Sequence, residues 1–322
     1  MTSSHTRRAH DARGGQTPPA IVVVGSLNMD LVLRMDRAPA AGETVTGQDF
    51  ALLPGGKGAN QAVACARMGA KVAMIGRVGT DANGDALRAG LLADAIGADE
   101  VKPLASAHTG VAMIWVEADG QNRIVVAPGA NGLLDANGVE RAGALIDGAA
   151  MLVVQLEVPM PAVEAAVERA HRAGVPVVMN PAPVQPLPTS MWPRIDLLVV
   201  NETEAAGLAG QPVDSPATAA AAGAALRARG PRRVLVTLGA QGVVVVDEAA
   251  SRHFPAKVVQ AVDTTAAGDT FIGAVAAALC EGQALDAAVA FGQAASALCV
   301  TRRGAQASIP YRREIVHTPL AP

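Results

Sequence analysis

The segment DTTAAGDTFIGAVAAAL, residues 263–279, runs a turn of small residues directly into an apolar stretch of helical length. Around Ala266, Ala267 and Gly268 successive backbone N–H groups stay reachable at a helix start, where unsatisfied amides and the helix dipole both favour negative charge. Such an anion hole suits a transferring phosphoryl group. Asp269, in the first turn, is placed to accept the proton of an attacking hydroxyl. The same residues also fit an ordinary helix start with an acidic first turn and a packing glycine, so the turn alone leaves both readings standing.

A second set lies near the N-terminus, in GSLNMD (25–30) and PGGKGANQA (54–62). Asn28 and Asp30 are polar groups at the end of an apolar run, two residues apart and so pointing the same way; a diol-bearing ligand would use both. Gly55, Gly56 and Gly58 let the backbone approach a ligand closely, while Lys57 and Asn60 supply donors at a helix start. The loop is not a G-x-x-x-x-G-K-[ST] phosphate loop, and no G-x-G-x-x-G opens the first helix, which argues against a dinucleotide fold. A glycine-rich hairpin with a solvent-facing lysine is the plainer alternative, although Lys57 is one of only four lysines in a chain that otherwise uses arginine. Three more apolar runs end in polar residues: Glu157 after MLVVQ, Asn201 and Glu204 in NETE after DLLVV, and Thr237 through Gly242 after RVLV. Those are the places where open α/β sheets bind ligands, though each alone could be a helix cap or a turn.

Positioning these groups takes a sheet. IVVVG (21–25), KVAMIG (71–76), MLVVQ (151–155), VPVVMN (175–180), DLLVV (196–200), RVLVT (233–237) and VVVVD (243–247) read mostly as buried strands. Ala-rich stretches of helical spacing lie between many of them, at 58–68, 82–95, 161–173 and 216–229. The alternation predicts an α/β fold with a mostly parallel central sheet covered by helices on both faces. Two regions break the rhythm, about 31–53 and 110–128, where short runs flank Pro39, Gly42 and the turn ADGQN (118–122). These predict a small antiparallel β sheet without helices to cover it, either a lid beside the polar residues of GSLNMD or an extension of the sheet edge; the lid is the favoured reading.

Composition removes several classes. The chain has 322 residues, 50% hydrophobic and 17% charged, enough for a large core, and a net charge of −3 with scattered basic residues, unlike a nucleic-acid-binding stripe. With 2% aromatic residues, base-stacking platforms are not expected. The three cysteines, Cys65, Cys280 and Cys299, form no C-x-x-C pair and fit a reducing cytoplasm. Residues 1–20 carry no apolar period and read as a disordered tail, and no run approaches the ~20 apolar residues of a membrane helix. One domain over 21–315 is therefore expected.

At this point the residues point to a family. PGGKGANQAVA and DTTAAGDTF, with NETEA and TLGAQG between them in that order, resemble the PfkB carbohydrate kinase family from about Ile21 to beyond Ser308. GSLNMD, GETVTG and RRGAQAS are similar to its ribose-phosphorylating branch. The resemblance implies transfer from ATP to the 5-hydroxyl of D-ribose, in a homodimer joined through the β lid. It implies that Asn28, Asp30, Gly56, Lys57, Asn60 and Glu157 hold the sugar and that Asp269 takes its proton. Asn201, Thr237, Gly239, Gly242, Gly268 and Gln293 would line the ATP site, with Glu204 organising Mg2+. Potassium would be bound by Asp263 and the Thr265 carbonyl, with groups of the loop around Cys299, Arg302, Gly304 and Ser308. Thr265 and Gln293 depart from the residues common at those places. A family member acting on fructose or a nucleoside, and a non-catalytic sugar sensor, remain as alternatives; the retained Asp269 and AAG turn argue against a sensor.

Overall fold

The computed structural model describes residues 21–118 and 121–317; the expectation for the tail at 1–20 lies outside the described residues. The chain runs β1 (Ile21–Val24), β2 (Asn28–Arg34), β3 (Asp49–Gly55), α1 (Lys57–Arg67), β4 (Val72–Gly79), α2 (Ala82–Ala93), β5 (Gly97–Leu104), β6 (Gly110–Val116) and β7 (Asn122–Ala127). It continues with α3 (Ala136–Arg141), α4 (Gly143–Asp147), β8 (Met151–Val154), α5 (Met160–Ala173), β9 (Val177–Met179), β10 (Leu197–Asn201), α6 (Glu202–Ala209) and α7 (Pro216–Arg227). It ends with β11 (Arg233–Thr237), β12 (Val243–Val246), β13 (Ser251–Phe254), α8 (Ala267–Cys280), α9 (Leu285–Cys299) and α10 (Arg312–His317). All seven apolar runs are strands, and the four Ala-rich stretches are α1, α2, α5 and α7.

The main sheet has nine strands in the order β13-β12-β11-β10-β9-β8-β1-β4-β5. It is parallel from β11 through β5, with β12 and β13 added antiparallel at one edge. Alternate residues of one strand feed opposite layers. In β1, Val22 and Val24 join a core with Ala162, Val163 and Ala166 of α5 and Leu226 of α7, while Ile21 and Val23 join a core with Val63 of α1, Val275 of α8 and Val289 of α9. Burial on both faces explains why these strands read as continuous apolar runs, each buried Val or Leu contributing about 1.5–3 kcal/mol.

Connections run from β1 to β4 in one direction and from β8 to β9 in the other, so the strand order reverses between β1 and β8. The crevice beyond their carboxyl ends is where an open α/β sheet takes its ligand. A second sheet, β3-β2-β6-β7, rises beside it. It consists of two antiparallel pairs, β2–β3 and β6–β7, joined through a parallel β2–β6 pairing. The parallel pairing follows from connectivity: β2 and β6 leave the main sheet after β1 and β5, which point the same way. Cross-strand register puts Phe50, Leu52, Met113 and Val125 together on its outer face, where all four are exposed.

The two helices that hold the expected site residues, α1 and α8, touch through small residues. A Cβ added at Gly273 would collide with Ala64 and come within 2.8 Å of the Cys65 backbone nitrogen. Gly273→Ala should therefore force the helices apart and lower stability by about 1–3 kcal/mol, measured by urea unfolding; an unchanged midpoint would show that the contact is slack.

Candidate functional site

Helix α8 starts without a side-chain cap, from Ala266 in the left-handed conformation at φ 60° and ψ 10°. That conformation costs a non-glycine residue on the order of 1 kcal/mol. It turns the chain so that the N–H groups of Ala266, Ala267 and Gly268 gather at the helix N-terminus, that of Ala267 donating to the Thr264 carbonyl at 3.2 Å, and the space in front of Gly268 is open. Asp269 follows in the same turn, 8% exposed. Its two oxygens are held by α1: Asn60 Nδ2 donates to Oδ2 at 3.0 Å and Gln61 Nε2 donates to Oδ1 at 2.9 Å.

The residues expected to hold the sugar converge from β2 and the start of α1. Asn28 and Asp30 lie two residues apart at the root of the second sheet, both buried. Gly55, which pairs with Asn28 across the β2–β3 hairpin, leaves the room that the Asp30 carboxyl occupies, since a Cβ there would overlap it. Gly56 caps α1 at φ 87°, and a Cβ there would sit 2.7 Å from the Asn28 nitrogen. Only glycine combines that backbone with that approach. Glu157 Oε2 accepts from the Ser26 hydroxyl at 2.6 Å and from the Lys57 backbone N–H at 3.0 Å, tying the β1–β2 turn to α1. Asn60 Oδ1 is buried with no partner among the described residues, an acceptor suited to a hydroxyl donor.

Charge is concentrated here. Burial, then the neighbouring charges of Glu157 and Asp269, push the Asp30 carboxyl up to about 7. Burial works to lower the Lys57 ammonium, but the charges of Asp269, Glu157 and Glu204 outweigh it and leave it above its ordinary value. Lys57 is thus the cation that balances a basin of carboxylates. A cavity of about 520 Å³ opens beside them, with Asp30, Arg34 and Leu53 of the second sheet on one wall and Asp263, Thr265 and Gly304 on the other. Asp269 is not on its wall.

On the far side of the sheet reversal, Asn201 ends β10 and caps α6: its Oδ1 accepts from the Glu204 N–H at 2.8 Å, and Glu204 Oε2 accepts from the Asn201 N–H at 3.0 Å. The plainer reading of Asn201 as a cap is therefore true of its side-chain oxygen. Burial raises the Glu204 carboxyl, against the opposing Asn201 N–H, Lys57 charge and Asn180 amide. Thr237 ends β11 beside Asn201, and Gly239 and Gly242 bracket a single 3-10 turn at φ 49° and 100°. Gln293 donates to the carbonyls of Phe254 and Pro255 at 2.9 and 3.1 Å, so its amide anchors the loop after β13.

The proposed cation loop is joined by hydrogen bonds. Asp263 Oδ1 accepts from the Thr265 N–H and Oδ2 from the Gly304 N–H, both at 2.9 Å, and Cys299 Sγ lies 3.1 Å from Ser308 Oγ. Burial would raise the Asp263 carboxyl; the Thr265 and Gly304 bonds outweigh it and hold it below its ordinary value. The Arg302 side chain instead pairs with Glu314 at 2.7 Å, which leaves only its backbone for the loop.

Several residues outside the expected set complete the framework. Asn131 ties β2 in place, its Oδ1 accepting from the Leu27 N–H and its Nδ2 donating to Asn28 Oδ1 at 2.8 Å. Ser26, Gln61, Gln155 and Asn180 are also buried and hydrogen-bonded at the site. Gln155 and Asn180 end apolar strands, a signal that would have found them; Ser26 and Gln61 stand next to motif residues.

Asp30 makes a pH prediction for the ligand-free protein. Between its ordinary 3.8 and about 7 the unfolded chain has released the proton that the native carboxyl keeps. Stability should therefore fall as pH rises through that window, by up to roughly 4 kcal/mol. Asp30→Asn, which stays neutral, should be more stable than the parent in urea at pH 8 and little different near pH 4. Equal differences at both would show that burial of the charge is not the cause.

Residues 19–312 match the pfkB family carbohydrate kinase pattern. The chain is 43% identical over 294 residues to the ribokinase of Haemophilus influenzae, covering 91% of this chain and 96% of that one. It is 45% identical over 306 residues to the ribokinase of Schizosaccharomyces pombe, covering 92% and 96%. Among solved structures, Arabidopsis thaliana ribokinase complexed with ribose and ATP superposes with a TM-score of 0.87 at 33% identity, covering 93% of this chain and 98% of that one. The family match spans most of the chain and these relatives align with it over nearly their whole length, so the chain belongs to the pfkB family of carbohydrate kinases.

Proposed function

We infer that the protein transfers the γ-phosphoryl group of ATP to the 5-hydroxyl of D-ribose, giving ribose 5-phosphate and ADP. The observation that carries this is Asp269 at the open N-terminus of α8, with polar groups of β2 and α1 on one side and the β10 and β11 ends on the other. The Arabidopsis relative that superposes over nearly the whole chain was solved with both substrates. Asn28, Asp30, Gly56, Lys57, Asn60 and Glu157 bind and orient the sugar. Asp269 accepts the proton of the 5-hydroxyl as its oxygen bonds to the γ-phosphorus and the bond to the β–γ bridging oxygen breaks. The N–H groups of Ala266, Ala267 and Gly268 stabilise the charge on the transferring group, and Lys57 adds its positive charge.

Asn201, Thr237, Gly239 and Gly242 line the nucleotide side, with Gln293 acting through the loop it anchors. Glu204 would help to organise magnesium arriving with the phosphates, which would supply neutralising positive charge. Potassium suits the hard donors near Asp263: a carboxylate, the Thr265 carbonyl and the Ser308 hydroxyl, with the Cys299 thiol the soft exception. We read 21–315 as one kinase unit whose β3-β2-β6-β7 sheet closes over the sugar. Its exposed Phe50, Leu52, Met113 and Val125, which share one face, favour a homodimer joined through that sheet. No helix among the described residues is long and apolar enough to cross a membrane, and the three cysteines are free thiols, in keeping with a cytoplasmic protein.

A coupled ADP-release assay across ribose, deoxyribose, fructose and adenosine should give ribose the highest kcat/KM. Asp269→Asn should keep sugar and ATP binding while lowering turnover by about 10²–10⁴-fold; full activity in that variant would sink the assignment of the base. Potassium should stimulate the parent more than sodium, and Asp263→Ala should erase the difference. Indifference of the parent to both ions would make the Asp263 loop purely structural.

A further inference from the structure

Gln61 is 0% exposed, and its amide makes three described hydrogen bonds. Nε2 donates to Asp269 Oδ1 at 2.9 Å and to Asn180 Oδ1 at 3.3 Å, while Oε1 accepts from Gln155 Nε2 at 2.6 Å. The amide has one polarity only. Turned over, its oxygen would face the Asp269 carboxylate and the Asn180 carbonyl, and its NH2 would face that of Gln155. Asn180 extends the chain, donating through Nδ2 to the Val199 carbonyl at 3.1 Å and to Glu204 Oε2 at 3.3 Å. A buried series of neutral amides therefore links Asp269 at the sugar side to Glu204 at the nucleotide side.

We propose that Gln61 is a positioning residue for phosphoryl transfer, fixing the plane of the Asp269 carboxylate and, through Asn180, holding it in register with Glu204. The proposal rests on the kinase reading above. A first-turn aspartate can rotate, so one donor does not fix its plane. Asn60 supplies one donor, but its Oδ1 is the unpartnered acceptor facing the sugar, so its amide answers to the substrate as well. Gln61 is anchored by Gln155 at Oε1 and by Asn180 at Nε2, which makes it the fixed reference. Because the donors are neutral amides, they orient the carboxylate without adding a cation beside it. In-line transfer is sensitive to this orientation: a misplacement near 1 Å costs about 10²-fold.

Two substitutions in the full chain test the role, with ribose and MgATP as substrates. Gln61→Met keeps the volume and removes both donors; kcat should fall by about 10–100-fold while ribose affinity by calorimetry stays within about threefold. Gln61→Glu keeps one donor only while protonated. The ratio of its kcat to that of the parent should fall as pH rises from about 6 to about 9, whereas the Met ratio stays flat. An unchanged kcat in the Met variant overturns the proposal, as does a loss of kcat matched by an equal loss of ribose affinity. Should the Met variant not fold, the Glu variant decides, and a pH-independent ratio there overturns it. A parent without activity on ribose and ATP would remove the kinase reading itself; an active parent beside a fully active Met variant would remove only the role of Gln61.

Discussion

Asp269 sits where the N-termini of α1 and α8 meet, and its two oxygens accept one side-chain amide each from consecutive α1 residues. That junction requires the helices to approach until glycine is needed between them, at Gly273. It also requires α1 to begin at Gly56, in a conformation that puts its first turn against β2. The sugar-side residues hang from these two requirements. Asn28 is fixed by Asn131 and by its pairing with Gly55, and Glu157 ties the β1–β2 turn to the first residue of α1. A shift of α8 relative to α1 would thus carry Asp269 and the helix N-terminus away from the residues tied to α1.

The electrostatics follow from the same crowding. The charges of Asp269, Glu157 and Glu204 act on Lys57, and Asp30 in turn feels Glu157 and Asp269. In water such a set would repel weakly; buried, each charge is felt by the others. The free protein meets the cost partly by raising Asp30, and hydroxyl donors from a sugar would lessen it by hydrogen-bonding the carboxylate. The site is in this sense poorly satisfied without its ligand. Ala266, held left-handed at φ 60°, adds backbone strain at the same place.

Much of the scaffold is legible in sequence because fully buried strands carry an uninterrupted apolar run that nothing else in the chain imitates. β5 was not legible: GADEVKPL forms an edge strand with only Ala98 and Val101 buried, so its pattern is that of a surface loop. β13 is four residues long and half-exposed, and its neighbour β12 looked like one more parallel strand although it turns back antiparallel. The parallel β2–β6 pairing depends on where two distant segments leave the main sheet, which no local pattern encodes. At the site, glycines and charged strand ends announce themselves by being out of place. Gln61 is neutral and sits inside an Ala-rich run, while Gln155 and Asn180 close apolar strands; which groups they join, about 20 to 210 positions away, is visible only once the chain has folded.

That difference in legibility has a physical basis in what each residue does. Residues that touch a ligand must break the apolar pattern at an element's end, where the crevice lies. Residues that orient them can stay within the pattern, provided each polar atom finds a partner, because a buried amide left unpaired costs about 1–3 kcal/mol. Gln61 meets that condition through Asp269, Asn180 and Gln155. Asn60, its neighbour on α1, does not, with Oδ1 left over. The saturated amide is therefore the rigid part of the site, and the unsaturated one is the part that waits for a hydroxyl.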